Sequence, residues 1–457
     1  MAEKADVIVV GLGPGGEDAA GRLAEAGLDV VAVEAELVGG ECPYWGCVPS
    51  KMMVRAADLL AEARRLEGMA GTCDVRPDWA PVASRIRVEA TDDWDDTVAA
   101  ERLEGKGARL VRGWGRLDGP GRVVVGEVVL EAARAVVVNI GTRSWTPPID
   151  GLADTPYWTN REAIEATEVP ATMAVIGGGS IGVELGQVFS RFGAHVTILE
   201  AGPRIVAPEE PEASELLTTV LRREGIEVVD SARIASVRHA DGAFTLAVQG
   251  REPLVVERLL VATGRRSDLR GLGATTIGVA EDAHALPVDD HLRVVGAERT
   301  WAIGDVTGKG AFTHVSMYQA DIVVRDVLGQ TVVPAEYRAV PRVTFTDPEI
   351  GSVGLSEADA RASGATVRTG AAPVPTSTRG WIHKAGNDGF VKLVEDADRR
   401  VLIGATSMGP WGGEVLGLLS LAVHAEVPTE RLEHMIYAYP TFHRVIEAAV
   451  KDLVGDP

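Results

Sequence analysis

Cysteine is scarce in this chain, with three in 457 residues, too few for a disulfide-stapled scaffold. The nine histidines are scattered without ligand spacing, and Cys73 stands alone, so nothing completes a tetrahedral zinc set and no metal site is expected. No apolar stretch approaches the ~20 residues of a membrane span. The start, MAEKADVIVVGLGPGG, reads as a short apolar strand broken by glycines, not as a leader. A cytoplasmic enzyme with no membrane partner is the expectation. Positive charge is also short: 45 Lys and Arg against 66 Asp and Glu leave a formal charge of -21. That disfavours nucleic acid and anionic surfaces, which both need a basic patch. Hydrophobic residues nevertheless make up 46%, and the length exceeds one core, so several well-packed domains are expected.

Two of the three cysteines, Cys42 and Cys47, lie five residues apart in GGECPYWGCVPSK, from Gly39 to Lys51. A close pair in a chain without a leader points to redox chemistry more than to a structural staple. Pro49, Ser50 and Lys51 precede the helical run MMVRAADLLAEARR, which predicts Cys47 at a helix N-terminus. There the helix dipole and the Lys51 cation both favour a thiolate, making the pair exchangeable. Two inert buried cysteines are the plain alternative, but that reading leaves the glycines, proline and lysine without a use.

The chain also repeats itself. ADVIVVGLGPGGEDAAGRLAEAGLDVVAVEAE reads as strand, glycine turn, helix, strand, with Gly11, Gly13 and Gly16 followed after 18 residues by Glu34. TMAVIGGGSIGVELGQVFSRFGAHVTILEAGPR does the same with Gly177, Gly179, Gly182 and Glu200, offset by 166 residues at every position. Two complete copies, each ending in an acid, predict two Rossmann-type dinucleotide sites. In each, the first glycine allows the turn, the second lets a pyrophosphate approach, and the third lets the helix pack on the strand, while helix N–H groups hold phosphate. Glu34 and Glu200 can each accept hydrogen bonds from a ribose diol. A carboxylate at Glu200 would repel a 2'-phosphate, favouring NADH, although Arg204 nearby keeps NADPH open.

With a redox pair following the first dinucleotide fold, the chain resembles the pyridine nucleotide-disulfide oxidoreductases, the flavoproteins that include dihydrolipoamide dehydrogenase, glutathione reductase and mercuric reductase. Further stretches fit: VVVNIGTR around Gly141 and LLVATGRR around Gly264 look like the turns closing the nucleotide domains. TWAIGDVTG carries Asp305, which looks like the aspartate that binds the flavin ribityl chain. PRVTFTDPEIGSVGLSEADAR looks like the opening of the dimerisation domain. The resemblance implies an α/β fold of two Rossmann-like domains, for FAD and NAD(H), and a C-terminal α+β dimerisation domain. The expected boundaries are 1–150 for the first part of the FAD domain, 151–275 for the NAD domain, 276–335 for the FAD return and 336–457 for the interface. A homodimer is implied, and the apolar helix from Glu414 suits either an interface or a core.

The resemblance also implies the electron path, from NADH through FAD to the Cys42–Cys47 disulfide and on to a small-molecule acceptor. Cys47 is then the flavin-side thiolate, Cys42 attacks substrate, and Lys51, paired with Glu184, lies near the flavin N5. The pattern breaks at IYAYPTFHRVIEAAV. Disulfide reductases of this family carry a histidine before Pro-Thr and a glutamate five positions later as the base for thiol exchange. Here those positions hold Tyr439 and Arg444. Ionising tyrosine, with a reference pKa of about 10 against about 6.5 for histidine, costs ~4 to 5 kcal/mol more. His443, four residues after Tyr439, is the candidate substitute base, or else an exposed helix histidine. Turnover of lipoamide or glutathione disulfide is therefore expected to be weak, and the acceptor is left open among a small disulfide, a quinone and a metal ion.

Overall fold

A computed structural model describes residues 2–455, which fall into two compact units, each assembled from separated stretches of chain. The first takes the residues up to Pro49, Ser84–Trp145 and Arg265–Tyr337; the second takes Ser50–Ala83, Thr146–Gly264 and the chain from Arg338 onward.

The first unit is built on parallel strands in the order Arg109–Arg112, Val30–Glu34, Glu3–Val10, Val128–Val138, with Thr300–Ala302 pairing the end of the last. Strand Val30–Glu34 is buried at all five positions, the pattern of a sheet covered on both faces. Helix Pro14–Glu25 packs against helix Thr313–Val327, and one apolar cluster joins Leu12, Ala19, Ala20 and Leu23 to Ile303, Ala320 and Val323. A two-stranded ribbon, Arg143–Ser144 against Arg265–Arg266, lies where the chain leaves the first unit and returns to it.

The second unit holds a four-stranded parallel sheet in the order Glu227–Val229, His195–Leu199, Thr172–Ile176, Arg258–Val261, and a three-stranded antiparallel sheet from Ile234 to Val256. Beyond them lies a five-stranded antiparallel sheet, Pro341–Thr344, Glu349–Gly354, Val401–Gly409, Phe390–Asp396, Val367–Pro373. Helices Gly412–His424 and Arg444–Val454 pack on this last sheet. The helix around Glu414 buries Val415, Leu416, Leu419, Ala422 and Val423 and leaves Leu421 exposed, so most of its apolar content is core. No helix among the described residues is long and apolar enough to cross a membrane.

Buried ion pairs fasten this unit. Arg191 is 4% exposed and reaches Asp58 at 2.6 Å, Glu224 at 2.8 Å and Asp347 at 2.6 Å. Lys392 lies within 2.9 Å of Glu210, Glu212 and Glu357. Those three carboxylates are close enough together to hold a metal ion, but the Lys392 ammonium already pairs with all of them.

Around Arg191 the two aspartates move in opposite directions. Burial pushes Asp58 up from 3.8 to about 6, against the pull of Arg191. Burial acts the same way on Asp347, yet Arg191 and Arg65 hold it below its ordinary value. Because the folded state binds the Asp58 proton more tightly, this group favours folding fully below its ordinary 3.8, and that contribution is lost as pH rises towards about 6. Asp58→Asn removes this dependence, so the Tm of the variant is expected to fall less than that of the wild type between pH 4 and pH 6. Parallel melting profiles across that window would show that Asp58 does not titrate there.

Candidate active site

Cys42 is the second residue of the short helix Glu41–Tyr44, and Cys47 is the first residue of helix Cys47–Arg64. Cys42 is half-buried and Cys47 exposed. A hydrogen bond shared with Cys47, and then burial, push the Cys42 thiol up, while the hydroxyl of Thr313 pulls the other way. Thr313 Oγ1 is also 3.6 Å from Cys47 Sγ. Cys47, at the helix N-terminus, is the sulfur of the pair placed where backbone N–H groups favour negative charge.

One turn along that helix, Lys51 donates to Glu184 at 2.7 Å and to Ser50 at 3.3 Å. Its Nζ lies 4.6 Å from the centroid of the Phe345 ring. Glu184 sits on helix Ser180–Arg191 with its side chain 7% exposed, and its other oxygen accepts the Phe345 N–H at 2.9 Å. The carboxylate is thus fixed from two sides and holds the ammonium in place.

The two glycine loops share their close backbone approaches. Gly11 and Gly177 have φ of +90° and +107°, and a Cβ on either would come within 2.4 Å of the carbonyl oxygen of Asn139 or Ala262. A Cβ on Gly16 or Gly182 would come within 2.1 Å of Gly11 O or 2.0 Å of Gly177 O. Both acids at the strand ends clamp their own loop. Glu34 accepts from Leu12 N at 2.7 Å and Glu36 N at 2.8 Å; Glu200 accepts from Gly178 N at 2.7 Å and Gly202 N at 2.6 Å. Every one of these partners keeps the 166-residue offset. Burial pushes the Glu34 carboxyl up, opposed by the N–H groups of Glu36 and Leu12.

Gly13 and Gly179 cap helices that have no side-chain cap. A Cβ on Gly179 would meet nothing within 4 Å, and its φ of -76° suits any residue. At Gly13 a Cβ would come within 3.2 Å of Asn139 Oδ1. The free N–H donors at both helix starts, and the open space at Gly179, fit a dinucleotide pyrophosphate.

Gly141 follows strand Val128–Val138 and accepts from Ser267 Oγ at 2.9 Å; Gly264 ends the second unit's middle segment with φ of +113°. Asp305 lies in a 3-10 turn and accepts from Thr142 Oγ1 at 2.6 Å. Tyr439 is 65% exposed. The guanidinium of Arg444 lies 5.3 Å from the centroid of its ring and is paired with Glu447 at 2.9 Å. His443 is the residue just before helix Arg444–Val454.

Two family descriptions match in sequence: "Pyridine nucleotide-disulphide oxidoreductase" over residues 5–320, and its dimerisation domain over residues 340–450. The chain belongs to the pyridine nucleotide-disulphide oxidoreductases. This oxidoreductase is 33% identical to a dihydrolipoyl dehydrogenase of Thermus scotoductus over 97% of this chain and 96% of the relative. It is 32% identical to a mercuric reductase of Acidithiobacillus ferrooxidans over 98% and 83%. Among solved structures, the Cu(II) complex of the HOCl-induced flavoprotein disulfide reductase RclA from Escherichia coli superposes with a TM-score of 0.85 at 25% identity, covering 99% of both chains. The family uses FAD and NAD(P)H, and the α/β architecture with a dimerisation domain is that of the family.

Several residues of the oxidoreductase's site carry no motif signal. Asn139 accepts from Gly16 N at 2.9 Å and donates to Ile303 O at 3.0 Å, joining the first glycine loop to the strand before Asp305. The only hint in sequence is a polar residue ending the apolar run VVVN. Thr313, between the two thiols, and Phe345, against Lys51, have no such hint.

Proposed function

We propose that this chain is an FAD- and NADH-dependent reductase that sends electrons through Cys42 and Cys47 to an acceptor other than lipoamide. The observation that carries this reading is the end of the chain's base motif, where Tyr439 lies under Arg444 with no imidazole in that place. The Cys42 thiol is held protonated by its bond to Cys47 and by burial, so attack on an external disulfide first requires a base. General-base help of that kind is typically worth about 100-fold to 10,000-fold. Tyrosine beside a guanidinium does not supply it near neutral pH.

Bound FAD would supply hydride acceptance from the nicotinamide and delivery of an electron pair to the disulfide. The chain's own part is to hold and charge-balance. The Gly11 to Gly16 loop, Glu34 and Asp305 hold the FAD, and the Gly177 to Gly182 loop with Glu200 holds the nicotinamide nucleotide. Lys51, steadied by Glu184, offers a fixed positive charge near the reacting ring. Cys47 keeps the thiolate, and Cys42 keeps the proton until an acceptor arrives. NADH is favoured because Glu200 would face a 2'-phosphate and because Arg204 is already committed, donating to Ala207 O at 2.6 Å. The family's dimerisation domain, together with exposed Trp381, Leu421 and Ile436 on this chain, supports a homodimer.

A metal ion is the acceptor class to try first, since the superposing reductase is described as a Cu(II) complex. A small disulfide and a quinone follow. Anaerobic titration with NADH, and separately with NADPH, tests the reading through the flavin spectrum and the count of alkylatable thiols. NADH is expected to expose two thiols, at Cys42 and Cys47, and to raise a long-wavelength thiolate–flavin band. A flavin that bleaches while both cysteines stay oxidised would move the exit point of the electrons to the flavin itself. Wild-type rates with lipoamide would instead favour a dihydrolipoamide dehydrogenase with a replaced base. Slow NADH oxidation with every acceptor, joined to a redox-dependent partner, would favour a sensor.

A further inference from the structure

Arg265 is the first residue of the ribbon strand Arg265–Arg266 and pairs across to Ser144. Its side chain does much more than the ribbon requires. Nη2 donates to Thr142 O at 2.6 Å and Nε donates to Thr142 Oγ1 at 3.0 Å. The same guanidinium lies 3.5 Å from Glu41 Oε2, with the two side chains 20% and 30% exposed. Glu41 is the residue immediately before Cys42. Thr142 in turn donates its hydroxyl to Asp305 Oδ2 at 2.6 Å. Because the Thr142 oxygen accepts from Arg265, its single proton is directed at Asp305. One guanidinium therefore stands between the redox loop and the aspartate assigned to the flavin, with all four residues inside the first unit.

We propose that Arg265 is a positioning residue that couples the Cys42–Cys47 loop to the flavin-holding Asp305, through Glu41 on one side and Thr142 on the other. This rests on the roles given above to the cysteine pair and to Asp305. Two consequences follow from its charge and its fork geometry. On the loop side it pairs with Glu41, whose carboxylate would otherwise leave an uncompensated negative charge in the loop that carries the thiolate. On the flavin side it fixes the Thr142 hydroxyl, so that Asp305 presents its carboxylate in one orientation. A lysine keeps the charge but cannot bridge both arms with planar donors.

The test uses the FAD-loaded protein as Arg265→Met, Arg265→Lys and the double variant Arg265→Met with Glu41→Gln. The pH midpoint of the thiolate–flavin band after anaerobic NADH reduction reports the loop arm. The rate of FAD release reports the Asp305 arm. Arg265→Met is expected to raise the band midpoint by about half a pH unit or more, and to speed FAD release at least several-fold. Adding Glu41→Gln returns the midpoint towards the wild-type value while FAD release stays fast. Arg265→Lys keeps the midpoint near wild type and releases FAD faster. A residue that merely braces the ribbon would lower Tm, leave the midpoint unmoved and gain nothing from Glu41→Gln, and that result overturns the coupling. A wild type that shows neither band nor alkylatable thiols overturns the disulfide reading itself, and the coupling with it.

Discussion

Cys42→Ser is expected to retain FAD, to be reduced by NADH, and to lose disulfide-dependent turnover by about 1,000-fold or more. The glycine loops and acids proposed to hold the nucleotides make no contact with Cys42 in their clamps, so nucleotide binding is expected to survive. What disappears is the attacking sulfur. A serine hydroxyl cannot form the mixed disulfide through which a thiol pair passes electrons to an acceptor. The variant also removes the proton that Cys42 shares with Cys47. The thiolate–flavin band, if Cys47 carries it, should then appear without NADH, since Cys47 has no disulfide partner left. Steady-state turnover with Cu(II), a small disulfide and a quinone makes the comparison. Unchanged turnover with any of them would mean that this acceptor draws electrons from the flavin directly.

The second large effect runs in the opposite direction. Tyr439→His together with Arg444→Glu is expected to raise lipoamide reduction by about 100-fold to 10,000-fold over the wild type. The single change Tyr439→His should give less. Arg444 would remain against the new ring, a cation that disfavours protonated imidazole, and its pairing with Glu447 would remain intact. The double change supplies both a base with a pKa near neutral and a carboxylate to orient it. An NADH-dependent lipoamide assay on the three proteins decides the matter. No rise in the double variant would show that the pocket, and not the missing base, excludes lipoamide.

The parts of this molecule that were legible in sequence are those that local spacing encodes. The glycine loops and their acids could be seen because a Rossmann unit needs them at fixed intervals along a short stretch of chain. The helix start at Cys47 was marked by its flanking proline and lysine. Contacts between distant stretches left no such trace. Asn139 meets Gly16 across 123 residues, and an asparagine at a strand end reads like any other. Arg191 gathers Asp58, Glu224 and Asp347 from three separate segments, although in sequence it is one more charge on a helix. The same long-range pairs explain why Ser50–Ala83 groups with the second unit, a division running through a continuous helix that no composition change announces. At the C-terminal motif, the spacing pointed to His443 as Tyr439's neighbour, whereas the contact of Arg444 with the Tyr439 ring carried no signal in the sequence.

The doubled clamp made by Glu34 and Glu200 bears on how the two proposed nucleotide sites would choose their guests. Each carboxylate is already tied to its loop by two backbone N–H groups before any ligand arrives. The freedom those side chains could lose on binding has been lost at folding, so association there costs less ordering. Such a pocket behaves as a rigid gauge: it rejects a misfit at first contact and does not remodel to admit one. Discrimination between nucleotides should therefore show up chiefly as faster escape of the wrong one, with both arriving at similar rates.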